Sequence, residues 1–255
     1  MSRLWAIALN TFREAVRDRV LYSILFFGVG VILLSLALSE VTIGDQDKVV
    51  RSVAQGAVDL FANIIAMFLG VSLVWKELDQ RTIYTVISKP IPRWMFVLGK
   101  YLGLMLTLSA EVAILCVVYT GLMIAQQGAP EPVVFVSMGL LMLQLGLLTA
   151  WATLFSSYSN PMTATAFTLA VFVIGHLADD IWVYGSQASS PAVQAIARAL
   201  YWVLPNFELM DIRPWAVHHR PVPTDRLWPA LTYGLGYTAA VLAAAAAVFQ
   251  KKDVK

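Results

Sequence analysis

The chain has 255 residues, 59% of them hydrophobic and only 13% charged, with a mean hydropathy of +0.71. A soluble domain of this size has about 45–50% apolar residues, so the composition excludes an ordinary soluble enzyme and points to an all-α integral membrane protein. The net charge of +2 gives no electrostatic case for nucleic acid, and the single cysteine, Cys116, excludes a disulfide framework.

The first element is short and amphipathic. Residues Leu4–Val16 carry Leu4, Trp5, Ala8, Leu9, Phe12 and Val16 toward one face, with Arg13 and Arg17 near the polar side. That spacing predicts an interfacial helix lying on the membrane; an extension of the first span is the alternative. The apolar run after it is a full span rather than the short core of a cleavable signal peptide.

Six transmembrane helices follow, at about Val20–Leu38, Ala57–Trp75, Phe96–Ala125, Val133–Phe155, Met162–Leu177 and Leu227–Phe249. Crossing a hydrocarbon core of about 30 Å takes roughly 20 apolar residues. The third run is long enough to project beyond the membrane, and the fifth is short. Ser39–Gln55 is expected to be a short external loop. In the long connection before the last span, Ser190 and Pro191 form a helix start. Val193, Ile196, Ala197, Leu200 and Leu204 then recur at helical spacing, Pro205 ends the run, and Arg213–Arg226 is expected to be extended.

Lys and Arg set the orientation. Arg3, Arg13, Arg17 and Arg19 precede the first span, five basic residues lie in or beside Trp75–Gly103, and Lys251, Lys252 and Lys255 follow the last span. Twelve of the 18 basic residues thus fall on one side. This predicts both termini in the cytoplasm.

Trp75–Gly103 is a charged island holding Lys76, Glu77, Asp79, Arg81, Lys89, Arg93 and Lys100. Positive-inside bias accounts for the bases but not for their alternation with acids, nor for the helix-forming stretch Glu77–Val86 closed by Pro90 and Pro92. Lys89–Arg93 reads as a rigid turn, because proline fixes φ and biases its predecessor away from helix. The pattern suits a docking surface.

Polar residues at membrane depth need a reason, since an ionised carboxylate mid-span costs roughly 2.5–3.5 kcal/mol on insertion scales. Glu111 in the third span is either a pathway-lining group or a structural residue hydrogen-bonded near Tyr119 or Gln144. Asp59 and Asn63 sit one turn apart in the second span and read as interfacial or inter-subunit contacts, with a pathway role as the alternative. His176 and Asp180 have an i,i+4 metal-ligand spacing, but with Asp179 they read better as helix-end polar residues, as do His218 and His219. Met138 and Met142 read as packing residues, and no metal site is expected. The chain has no G-x-x-x-x-G-K-[ST], H-E-x-x-H or G-x-S-x-G, so it brings neither a P-loop nor a hydrolase motif.

The charged island resembles the loop between the second and third membrane helices of ABC-2 family exporter permeases. The matching residues are Glu77, Arg81, Thr82, Ile83, Ser88, Pro90, Ile91, Arg93, Gly99 and Lys100. Two further stretches, Leu204-Pro-Asn-Phe-Glu-Leu-Met-Asp211 and Ala8–Ala15, are similar to the branch described as involved in multicopper-enzyme maturation, which includes the nitrous-oxide-reductase maturation permease. The resemblance implies one permease domain over residues 1–255, with an elbow helix (1–18, including Trp5, Phe12, Arg13 and Arg17), a cytoplasmic coupling loop (76–95) and an extracytoplasmic cap (185–226) of short outer helices. Glu77, Leu78, Asp79, Arg81, Thr82, Ile83 and Thr85 would contact the ATPase, and Ser88, Pro90 and Arg93 would form the turn. It further implies a dimer with itself or a related permease in a bacterial-type inner membrane, two cytoplasmic P-loop ATPase subunits holding the ATP and Mg, export as the direction, and room for an extracytoplasmic accessory protein. The chain itself would bind no cofactor and would not be an enzyme. A non-transporting assembly or signalling subunit of the same fold, and an intramembrane enzyme using Glu111 or the His176–Asp180 cluster, are the competing readings.

Overall fold

The structure is a computed structural model and describes residues 3–41, 44–79, 92–127, 131–218, 220–222 and 224–251. Every regular element among these residues is helical: α1 (Arg3–Val16), α2 (Arg19–Val41), α3 (Gln46–Asp79), α4 (Arg93–Gln127), α5 (Pro132–Tyr158), α6 (Pro161–His176), α7 (Ala178–Ser186), α8 (Pro191–Val203), α9 (Arg213–Val217) and α10 (Thr224–Lys251), with a 3-10 turn at Glu208–Met210. Five helices are long and apolar enough to cross a membrane, or six if the bent pair α6 and α7 forms one span. The sequence-derived spans map onto α2, α3, α4, α5, α6 and α10 in order.

Three boundaries differ from expectation. Ser39–Gln55 is not a loop: α2 runs to Val41 and α3 starts at Gln46. Its charges support a helix, with Lys48 Nζ 2.8 Å from Asp45 and Arg51 Nε 3.3 Å from Asp47, at i,i+3 and i,i+4 spacings. Arg213–Arg226 is not extended, because Pro214 at the first turn opens α9 and Asp225 lies in the first turn of α10. His176 and Asp180 do not share a helix face, because the chain bends by 63° between α6 and α7. The helix start at Ser190–Pro191 is where the sequence places it.

Packing follows side-chain size more than hydropathy. Of the α5 span 72% is buried, against 22% for α2, although both are strongly apolar. The α5 helix carries Ser137, Gln144, Gly146, Thr149, Ala150, Ala152, Thr153, Ser156 and Ser157, whose short side chains, Gln144 apart, let neighbours approach; Thr153, Ser156 and Ser157 donate their hydroxyls to carbonyls of their own helix. In α2 the large Tyr22, Phe26 and Phe27 point outward. A β-carbon placed on Gly70 of α3 would lie 2.6 Å from Ala152 of α5, so these backbones meet where only glycine fits. The central helix packs against α3, α4, α6 and α10.

The first helix and the end of the last described helix meet at one end of the bundle. Phe249 of α10 stacks on Phe96 of α4 with ring centroids 5.7 Å apart, and α1 packs on the same first turns of α4. Asp79 and Arg93 mark this proximal end; α3 begins at the distal end. At 34 and 35 residues, α3 and α4 are each about 50 Å long, well beyond the ~30 Å hydrocarbon thickness.

Candidate functional site

Four residues of the expected docking surface and its turn are described, and they lie at the proximal end. Glu77, Leu78 and Asp79 fall in the last turns of α3, which reaches them without a break, and Arg93 opens α4. Arg81, Thr82, Ile83, Thr85, Ser88, Pro90 and Ile91 lie outside the described residues, as do the side chains of Glu77, Leu78, Asp79 and Arg93.

Beside this segment, α1 is fastened to α4 by its small residues. Ala8, Thr11 and Ala15 are its buried positions. A β-carbon on Gly103 would lie 2.5 Å from both the Ala8 carbonyl oxygen and the Thr11 β-carbon, and one on Gly99 would lie 2.8 Å from Ile7. Lys100 is 1% exposed, with Nζ 3.6 Å from Glu14 and over the Phe96 ring. The sequence placed Ala8 on one face with Trp5 and Phe12. In the fold Ala8 turns to α4, while Trp5 is 41% exposed, Phe12 is half-buried, and Arg13 and Arg17 are exposed.

The distal end holds a chain of buried polar groups joining four elements. Arg213 at the start of α9 donates from Nη1 to Asp59 of α3 at 2.9 Å. Its Nε and Nη2 donate to the two oxygens of Asp211 at 2.9 and 2.6 Å, a bidentate fork. Asn63 Nδ2 donates to the Asp59 carbonyl at 2.8 Å. Gln144 of α5 donates to Asn63 Oδ1 at 3.2 Å and lies 3.4 Å from His176 Nε2 of α6. His176 Nδ1 is 2.9 Å from the Phe172 carbonyl. Asn63 is fully buried inside the chain, so it is not part of the outer surface.

The segment Leu204–Asp211 closes this chain against the α6–α7 bend. The Phe207 N–H donates to the Gly175 carbonyl at 2.9 Å, and a β-carbon on Gly175 would lie 2.6 Å from the Phe207 ring. Asn206 donates to Asp179 at 2.6 Å, its backbone N–H donates to the Tyr233 hydroxyl oxygen at 2.9 Å, and its Oδ1 accepts from the Leu209 N–H. The helix therefore breaks where a tertiary contact takes a carbonyl that the next turn would have used.

Charge settles on Arg213. Burial opposes ionisation of Asp211, yet the hydrogen bonds and charge of Arg213 outweigh it and hold the carboxyl below the ordinary carboxylate value. Burial likewise works against the Arg213 charge, and its bonds to Asp211 and the field of Asp59 more than offset this. Glu208 is pushed upward, first by burial and then by Asp179, Asp180 and Asp211.

Glu111 lies mid-way along α4, is 3% exposed, and neither of its oxygens has a hydrogen-bond partner among the described residues. Gln144, one of the partners considered for it, is engaged by Asn63 and His176 instead. No group of three or more His, Cys, Asp and Glu residues with a metal-binding arrangement occurs among the described residues. Sequence reasoning gave no role to Arg213 and no partner to Asp59. The available signal was Asp211-x-Arg213-Pro214, an acid and a base two residues apart at a helix start.

A bundle of long apolar helices with polar groups turned inward is a polytopic membrane protein. A model of the family described as ABC-2 family transporter protein matches residues 5–254, and the chain belongs to that family. It is the membrane permease component of an ATP-binding-cassette transporter, a class that couples to ATP-binding subunits. No curated protein matches the chain.

Proposed function

We propose that this chain is the permease subunit of an exporter, pairing with itself or a related permease in a bacterial-type inner membrane with both termini cytoplasmic. Two separate P-loop ATPases hold the ATP and Mg, and the permease itself performs no hydrolysis. The family match over residues 5–254 carries this reading. The absence of any P-loop from the sequence supports it, because the nucleotide then has to be bound elsewhere. Glu77, Leu78, Asp79, Arg81, Thr82, Ile83 and Thr85 dock in the ATPase surface, Ser88, Pro90 and Arg93 turn the chain back, and α1 braces the start of α4. Closure of the ATPases pulls on this segment and tilts α3 and α4, which opens a path at the permease–permease interface. Each exposed ion pair at the dock contributes only about 0–1 kcal/mol, so the contact needs several together with burial of Leu78 and Ile83. The Leu204–Asp211 and Ala8–Ala15 stretches support placement in the multicopper-enzyme maturation branch.

The test is purification of the tagged chain in mild detergent, identification of the proteins that co-elute, and their ATPase rate. A stoichiometric P-loop ATPase that is lost with Glu77→Lys is the expected result. A well-folded Glu77→Lys, Arg81→Glu double variant that keeps normal coupled ATPase activity would overturn the docking assignment.

A further inference from the structure

The distal polar chain has a direction, fixed by which atoms own hydrogens. The Phe172 carbonyl has none to give, so His176 Nδ1, 2.9 Å away, carries the hydrogen and donates. In the neutral ring Nε2 is then an acceptor. The Gln144 amide nitrogen faces it at 3.4 Å and also donates to Asn63 Oδ1 at 3.2 Å. Asn63 Nδ2 in turn donates to the Asp59 carbonyl at 2.8 Å and lies 3.3 Å from Asp59 Oδ1. Arg213 stands on the far side, 2.9 Å from the Asp59 carboxyl. Gln144 and Asn63 are 2% and 0% exposed, so neither amide has solvent to turn to.

A second proton on His176 is incompatible with that order. It makes Nε2 a donor, and two donors then face each other across 3.4 Å. The ring is packed on Phe172 and Phe207, with centroids 4.4 and 5.3 Å away, which resists swinging it aside. The amides turn instead. Gln144 presents its oxygen to His176 and withdraws its donor from Asn63. Asn63 then offers Nδ2 to that oxygen, which sets its own oxygen against the Asp59 carbonyl. This last contact is acceptor against acceptor whether the Asp59 side chain is ionised or neutral.

We infer that His176 is the trigger of a pH switch: its protonation reverses the Gln144 and Asn63 amides, loosens Asp59 from Arg213 and so releases the distal connection from α3. The groups around His176 admit the charge. Asp211, held ionised by Arg213, acts on it from the connection, and Asp59 acts on it from α3. From α7, Asp179 is engaged by Asn206. A histidine side chain ordinarily changes charge between pH 5 and 8, so the connection is tied at the upper end of that window and loosened at the lower. His218, which lines the cleft beside Asp211 and Arg213, is the other described histidine near this tie.

The experiment is hydrogen–deuterium exchange of the full chain in phosphatidylcholine nanodiscs at about pH 8 and about pH 5, read on peptides spanning 204–217 and corrected for the pH dependence of intrinsic exchange. The wild type is expected to exchange on the order of tenfold faster at the lower pH. His176→Gln keeps an acceptor facing Gln144 but takes no proton, and should flatten the step. Asn63→Leu cuts the relay and leaves His176 able to titrate; it should raise exchange at the higher pH and flatten the step. Gln144→Met cuts the other link and replaces Asn63→Leu if that variant loses helicity. His218→Gln should leave the step intact. No step in the wild type, or a step that survives in folded His176→Gln, overturns the trigger. A full step in a folded relay variant shows the charge acting through its field alone and overturns the relay. A step lost in His218→Gln overturns the assignment to His176. The measurement needs no ATPase, so this assignment and the permease reading fail separately.

Discussion

The guanidinium of Arg213 lies 2.9 Å from the carboxylate of Asp59, across 154 residues of sequence, and this pair ties the distal connection to α3. Breaking a buried ion pair by removing one partner costs about 3–5 kcal/mol, because the other charge is left uncompensated. The Arg213 side chain is 30% exposed and that of Asp59 13%, so the cost here is smaller. Arg213→Ala should destabilise the chain by roughly 2–3 kcal/mol, read as a lower unfolding midpoint in detergent. The double variant with Asp59→Asn should lose less than the sum of the single variants, because Asp59 is then no longer stranded, although Asp211 still is.

The α1–α4 contact is steric, so it answers to one methyl group. Gly103→Ala puts a β-carbon 2.5 Å from the Ala8 carbonyl oxygen, and α1 must shift. Trypsin cleavage after Arg13 and Arg17, both already exposed, should then accelerate severalfold. Gly30 of α2 has open space around the same position. Gly30→Ala should leave cleavage unchanged and add a few tenths of a kcal/mol, up to about 1 kcal/mol, from helix propensity. Equal cleavage in both variants would sink the packing argument.

Asp211 predicts an acid limb. Its folded value lies below the ordinary 3.8, so its stabilisation is complete above that value and is lost as pH falls through the lower folded value. Between pH 7 and about 5 this group should contribute almost no slope. Below that, the wild-type unfolding midpoint should fall more steeply than that of Asp211→Asn. Glu208 has the opposite sign: its folded value is raised, so ionisation costs stability at neutral pH, and Glu208→Gln should gain an advantage that vanishes as pH drops below its ordinary 4.5. Melting curves of the wild type and the two variants across pH 3–7 check both signs.

The spans were legible because an 18-residue apolar run has few soluble alternatives. The first helix was legible as a helix, but its inward face was not: hydropathy groups Ala8 with Trp5 and Phe12, whereas the contact is decided by which side chains are small enough to meet Gly99 and Gly103. The distal start of α3 was hidden by Asp47, Lys48 and Arg51, which look like loop charges until their i,i+3 and i,i+4 pairing is recognised. The bend after His176 has no local proline to announce it. It depends on Phe207, 31 positions further on, capturing the Gly175 carbonyl. Asp59 and Asn63 stood out as polar residues in a span, while their partners Arg213 and Gln144 could be assigned only once the chain was folded.

The unbroken course of α3 has a mechanical consequence. From Gln46 to Asp79 it has no joint, and at Gly70 it meets Ala152 of the central helix so closely that no β-carbon fits. A stiff bar clasped along its length moves as a whole or not at all. A displacement imposed at Asp79 is then carried past the Gly70–Ala152 contact to the distal turn where Asp59 holds Arg213.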